Sequence, residues 1–178
     1  MLLYNRPELH IQHDAELRLI RTGWTGAAGA TGAAGATGQR PCATYLANLV
    51  QSQRAEHYLM DLSQMDDISV PDQIWLSATW LPTVKTLPLK RVVVLLDENR
   101  IHNRMAVDSI VATKKVYFQF DIQYFSEPRT ALRWLTDDSP RVPALLTEWN
   151  TSFPLVSVRH PMQVILSSQA THSLPARN

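Results

Sequence analysis

Two aspartates lie at positions in the sequence from which they could take part in a cation-dependent reaction. Asp61 and Asp97 each follow a short apolar run that predicts a buried strand. Open α/β sheets bind ligands at the carboxyl ends of their parallel strands, and carboxylates gathered there suit Mg²⁺ in phosphoryl transfer or phospho-acceptance. We favour the competing interpretation, in which they are solvated loop carboxylates. The neighbouring loops add Asp66, Asp67 and Glu98.

A helix is predicted to begin after Ser69, because a serine at this position accepts a hydrogen bond from the backbone N–H three residues later, here that of Asp72. Trp75 and Trp80 lie five residues apart and therefore on different faces of this helix. If Trp75 points inward, Trp80 is partly exposed and is a candidate interface anchor. Packing at the edge of the core is the alternative for Trp80. The residues expected to face the core are Ile74, Trp75, Ala78 and Leu81.

Other sequence signatures of catalysis are missing. Neither the phosphate-binding pattern Gly-x-x-x-x-Gly-Lys-Ser/Thr nor the dinucleotide pattern Gly-x-Gly-x-x-Gly occurs. His10 and His13 are three residues apart on a predicted strand, so their side chains point to opposite faces and cannot share a metal ion. We therefore expect no catalytic residues, no cofactor and no metal. The glycines recur at every third position, as Gly23, Gly26, Gly29, Gly32, Gly35 and Gly38.

Composition narrows the class of protein. The 178 residues carry a formal net charge of +1, and the basic residues are scattered, which argues against nucleic-acid binding. Cys42 is the single cysteine, so no internal disulfide can form, which fits a reducing compartment. The longest aliphatic run, 92–96, is too short to cross a bilayer, and the N-terminus lacks the features of a signal peptide. A cytoplasmic protein without membrane insertion is expected.

The order of elements predicts an α/β fold. Extended and helical segments alternate as ββαβαβαβα, which implies a mainly parallel sheet of four to five strands with helices on its faces and right-handed crossovers. The predicted strands are Leu9–Asp14, Leu17–Trp24, His57–Leu62, Arg91–Leu96 and Phe120–Phe125. The predicted helices are 41–56, 69–81, 103–117, where Asn103 would be the cap, and 127–135.

One domain with two additions is predicted. Residues 1–136 form the α/β domain, and the Gly/Ala/Thr-rich stretch 23–40 is a flexible loop inserted between a strand and a helix. Residues 137–178 form a C-terminal extension, because Ser, Thr and Pro become frequent there and the helical period is lost. We expect this extension to be partly disordered or to form a small hairpin from 153–159 and 162–166.

Several segments together resemble the STAS-like (anti-sigma-factor-antagonist-like) family, and in particular small bacterial domains described as STAS or CRAL-TRIO-like. They are the hairpin Leu9–Trp24, Met60-Asp61-Leu62, 68–75, 90–94 and 122–135. The resemblance implies a regulatory domain that binds another protein. In antagonist members, a serine in an Asp-Ser-Ser/Thr-Gly-like motif at a helix N-terminus is phosphorylated. That motif is absent here, and Ser63 and Ser69 are the hydroxyls available in the matching region.

Three functions follow, in order of preference. The first is a non-catalytic interaction module that presents the helix after Ser69 to a partner protein, with a homodimer left open. The second is a domain that binds a small ligand or lipid, although so compact a chain has little spare core for the concave apolar cavity that this requires. The third is a Mg²⁺-dependent phosphoryl-transfer or phospho-acceptor domain that uses Asp61 and Asp97.

Overall fold

The computed structural model describes residues 2–5, 9–25, 39–97, 101–114 and 118–154, and in these ranges the α/β class is confirmed. The strands are β1 (Leu2–Asn5), β2 (Leu9–Asp14), β3 (Leu19–Trp24), β4 (His57–Asp61), β5 (Arg91–Leu95) and β6 (Asp121–Phe125). The helices are α1 (Gln39–Gln53), α2 (Val70–Trp75), α3 (Leu81–Val84), α4 (Ile101–Lys114), α5 (Pro128–Leu135) and α6 (Val142–Ser152).

The six strands form one sheet in which their spatial order equals their order along the chain. Strands β1, β2 and β3 pair antiparallel, whereas β3, β4, β5 and β6 pair parallel. The prediction of a largely parallel sheet is confirmed, but its count of four to five strands is too low. Strand β1 was missed because it is only four residues long and lies outside the alternating pattern.

Helices cover both faces of the sheet. Each crossover between neighbouring parallel strands runs in the same direction, so right-handed connections place α1, α3 and α4 on one face. Because side chains alternate along a strand, Tyr58 and Val92 point to this face, whereas Leu59 and Val93 point to the other, under α5 and α6. Two apolar cores result, one on each side of the sheet.

The segment after Ser69 departs from the predicted continuous helix. Leu76–Trp80 is a π-helical turn between α2 and α3, in which the N–H of Leu81 donates to the carbonyl oxygen of Leu76, five residues earlier. This extra residue rotates the face that the helix buries, so the predicted inward stripe is wrong at two positions. Ile74 and Ala78 are exposed. The sequence also predicts that Pro82 ends this helix, but Pro82 lies in the first turn of α3.

Helical structure continues beyond Asp138, contrary to the prediction. Helix α6 buries Val142, Leu145 and Trp149. The amide Nε2 of Gln12, on β2, donates to the carbonyl oxygen of Leu145 at 3.0 Å, so α6 is joined to the sheet. The predicted hairpin of 153–159 and 162–166 lies outside the described residues from 155 onward, as do residues 26–38 of the predicted loop.

Candidate functional site

The N-terminal ends of α2 and α4 are joined by one buried amide. Asn103 is fully buried, and its Oδ1 accepts a hydrogen bond from the backbone N–H of Ile68 at 2.9 Å. Its Nδ2 donates to the carbonyl oxygens of Met65 at 3.1 Å and Asp66 at 3.2 Å. The prediction that Asn103 caps α4 is wrong, because the helix begins at Ile101 and the side chain instead binds the loop that leads into α2.

Two apolar pairs lie exposed next to this connection. Val70 and Ile74 are 64% and 63% exposed on α2, and Ile101 and Met105 are 65% and 67% exposed on α4. Residues four apart occupy one face of a helix, so each pair forms an apolar strip over the first turns of its helix. We name these four residues the α2–α4 surface.

The α2–α4 surface contains most of the exposed apolar bulk that the structure describes. Among the residues whose side-chain exposure the structure describes, five large hydrophobic side chains are exposed, and Tyr124 on β6 is the one of these that lies elsewhere. Single exposed hydrophobic residues are ordinary on a protein surface, whereas a cluster marks a contact with another molecule. The four-residue spacing was readable in the sequence. Its exposure was not, because Ile74 was expected to face the core.

Ser69 caps α2, as predicted. Its Oγ accepts from the backbone N–H of Asp72 at 3.3 Å and donates to Asp72 Oδ2 at 2.5 Å. Asp72 is buried, and its Oδ1 accepts from Arg40 Nε, on α1, at 2.9 Å. Serine, aspartate and arginine therefore fasten the start of α2 to the start of α1.

Trp80 does not project from the surface. The side chain is half-buried, and its indole N–H donates to the carbonyl oxygen of Ala43 on α1 at 2.9 Å. The ring packs between the π-helical turn and α1. Of the two interpretations given for Trp80, this geometry favours packing at the edge of the core over an interface anchor.

The other predicted site residues meet at the carboxyl edge of the sheet. Asp61, Ser63 and Asp97 line one cleft of about 390 Å³, together with Ser126, which follows β6. Asp61 Oδ1 accepts from the Ser63 backbone N–H at 3.0 Å and from Ser63 Oγ at 2.6 Å. Sequence reasoning located both aspartates at this edge but did not include Ser126, whose position after the last strand was the available signal.

A buried guanidinium lies behind Asp61. Arg21 Nη2, on β3, is 3.9 Å from Asp61 Oδ2, and the guanidinium carbon lies 3.9 Å from the centre of the Trp149 ring. Burial lowers the pKa of Arg21 to about 10, and the charge of Asp61 opposes this shift. Because Asp61 already faces a cation, a metal ion at this carboxylate would meet electrostatic repulsion. Asp61 is thus better placed to neutralise Arg21 than to hold Mg²⁺.

Two findings concern the described ranges as a whole. No group of three or more histidine, cysteine, aspartate or glutamate side chains in these ranges is placed to hold a metal ion. None of the helices described there has both the length and the apolar character needed to cross a membrane.

Comparisons with known proteins leave the chain without an assigned relative: no family model, no curated protein and no solved structure matches it.

Proposed function

We propose that this chain is a non-catalytic interaction domain that binds another protein through the α2–α4 surface. The observation that carries the proposal is the concentration of exposed Val70, Ile74, Ile101 and Met105 on two helices whose first turns are held together by Asn103. An apolar surface on rigid elements loses little conformational freedom on binding, which favours affinity.

The proposed contact residues differ from those that the sequence predicts. Trp80 packs on α1, and Ser69 and Asp72 bind each other, so none of these three is the apolar anchor. They instead fix the position of α2, on which Val70 and Ile74 lie. The strand and helix order accords with the STAS-like resemblance at the level of architecture, and membership of that family is part of the proposal.

Ser69 is the residue through which modification would act on this surface. A phosphate on Ser69 Oγ would lie against the buried carboxylate of Asp72 and would remove the hydrogen bond between them. Repulsion between the two anions would detach the start of α2 from α1. We expect Ser69→Glu to weaken partner binding more than Ser69→Ala, which removes the cap without adding charge.

The test compares matched lysine substitutions in the full chain. Ile74→Lys and Met105→Lys replace exposed apolar side chains with a charge at positions where a helix tolerates lysine. Ala144→Lys, at an exposed position on α6, is the control. Tagged chains are purified from the native cells, and each co-purifying protein is quantified by mass spectrometry.

The proposal requires that the recovery of one co-purifying protein falls at least tenfold in both surface variants and stays unchanged in the control. Equal recovery of every co-purifying protein from all variants would refute it. A partner identified as a second copy of the chain would support docking and define the protein as a homodimer.

A further inference from the structure

Strand β6 forms one edge of the sheet, and among the strands that the structure describes it pairs with β5 alone. The N–H of Asp121 donates to the carbonyl oxygen of Lys90 at 2.9 Å, so the backbone of Asp121 faces β5. Because successive residues of a strand turn their backbone groups to opposite sides, those of Ile122 and Tyr124 point away from β5. The outer side of β6 therefore offers donors and acceptors to a further strand.

The side chains of β6 do little to protect this edge. Natural sheets protect an edge strand with lysine, proline, a bulge or a very short length. Strand β6 contains neither lysine nor proline, and it pairs with β5 over all of its five residues without a bulge. Tyr124 is 36% exposed on this strand, and an aromatic side chain there is suited to contacts across a strand pair. The edge is thus open to pairing.

Helix α4 lies beside this edge on one face of the sheet. The hydroxyl of Tyr124 donates a hydrogen bond to the carboxylate of Asp108 on α4, and burial together with this carboxylate raises the pKa of Tyr124 to about 12. Arg104 Nε, one turn earlier on α4, lies 4.0 Å from Asp108 Oδ2, and the two side chains are 62% and 52% exposed. A pair so open to water contributes little to the stability of one chain. The flank of α4 next to β6 therefore presents one positive and one negative side chain.

We propose that a second copy of this chain binds at this edge, with the two β6 strands antiparallel across a two-fold axis. An axis at Gln123 places Ile122 opposite Tyr124 of the second copy, and these residues exchange both of their outward backbone hydrogen bonds. The same register places Asp121 opposite Phe125, so no like charges meet across the strands. The pairing extends the sheet from one chain into the other.

Charge complementarity on α4 is what favours a second copy as the occupant. The two-fold axis turns the two α4 helices antiparallel, which brings Arg104 of one copy opposite Asp108 of the other. Because a two-fold interface repeats every contact, the attraction between unlike charges is obtained twice. The pairing uses none of the four residues of the α2–α4 surface, so this proposal and the proposed function succeed or fail independently.

Two opposite charge reversals test the contact between the helices. Arg104→Asp and Asp108→Arg each place like charges opposite one another in a homodimer, so each should raise the dimer dissociation constant by about tenfold or more. An equimolar mixture of the two variants should form heterodimers, which native mass spectrometry resolves, because both opposed pairs then carry unlike charges. Loss of the ion pair within one chain cannot produce this exchange. Arg54→Asp, at an exposed position after α1, is the control and should remain a homodimer.

Proline and alanine at Tyr124 test the contact between the strands. Tyr124→Pro removes an N–H that faces away from β5, which an edge strand tolerates, and should give a folded monomer. Tyr124→Ala removes the ring but keeps the N–H, and should weaken the dimer less. Sedimentation velocity at micromolar concentrations measures the mass of each full chain, and circular dichroism reports its fold. A monomeric wild type, a dimeric Tyr124→Pro or a mixture of the charge variants without heterodimers would overturn the proposal. The charge reversals do not depend on the proline variant folding.

Discussion

Gly23 lies directly against the indole ring of Trp149. A Cβ atom at Gly23 would be 2.7 Å from Trp149 Cζ2 and 3.1 Å from Cη2, closer than side chains pack. The first glycine of the three-residue repeat therefore belongs to β3 and lets α6 approach the sheet. This contact joins β3, which the sequence predicts to lie in the α/β domain, to α6, which falls in the predicted C-terminal extension.

We expect Gly23→Ala to lower the free energy of unfolding by about 2 kcal/mol, because the added methyl group overlaps the Trp149 ring. Trp149→Phe removes the atoms that clash, so the double variant should be more stable than the sum of the two single effects by about 1 kcal/mol. Urea denaturation of all four proteins measures this coupling. Strict additivity would mean that the two residues do not touch.

Asn103→Ala should be strongly destabilising. The variant leaves the Ile68 N–H and the Met65 and Asp66 carbonyl oxygens without the side chain that binds them, at a total of about 3 kcal/mol. Asn150→Ala, at an exposed position on α6, is the control and should change stability by less than about 0.5 kcal/mol. If the two variants unfold at the same urea concentration, Asn103 does not hold the loop.

Removing the charge of Arg21 and removing the charge of Asp61 should change the stability of the fold by different amounts. Arg21→Met removes a buried charge and keeps an apolar side chain against Trp149, so stability should stay within about 1 kcal/mol of the wild type. Asp61→Asn keeps an acceptor for Ser63 but leaves the guanidinium uncompensated, and should cost about 2 kcal/mol. Thermal unfolding measures the stability of both variants. A larger loss of stability for Arg21→Met than for Asp61→Asn would contradict the conclusion that Asp61 neutralises Arg21.

Three histidines, of which His13 is buried and His10 and His57 are partly buried, should make the fold sensitive to mild acid. Burial lowers the pKa of His10, His13 and His57 below 6.5. The unfolded chain then binds more protons than the folded chain as the pH falls through about 6.5, so the free energy of unfolding decreases between about pH 7.5 and pH 5.5. Urea denaturation across this range measures the slope, and NMR titration of the histidine rings gives each pKa. A flat or rising stability on acidification would refute the prediction.

The sheet could be predicted because its strands are short apolar runs separated by turns, and β2, β4, β5 and β6 match their predicted ranges to within one residue. Helix α6 carried a readable period in Val142, Leu145 and Trp149, but the surrounding Ser, Thr and Pro obscured it. In α6, the apolar residues at this spacing are the ones that the structure buries.

The candidate surface could not be predicted in the same way. The π-helical turn after Trp75 changes which residues face outward, and no periodicity in the sequence predicts this turn. The elements could therefore be predicted from the sequence, whereas the exposed strips depend on how those elements pack.

The most direct measurement is photo-crosslinking from the α2–α4 surface in living cells. A photoreactive phenylalanine analogue replaces Ile74 or Met105 in the full chain, and the same analogue replaces Thr147, which is exposed on α6, as the control. We predict one discrete crosslinked species that is common to positions 74 and 105 and absent at 147. Crosslinking of equal strength and pattern at all three positions, or none at 74 and 105, would contradict the claim that this surface docks a partner protein.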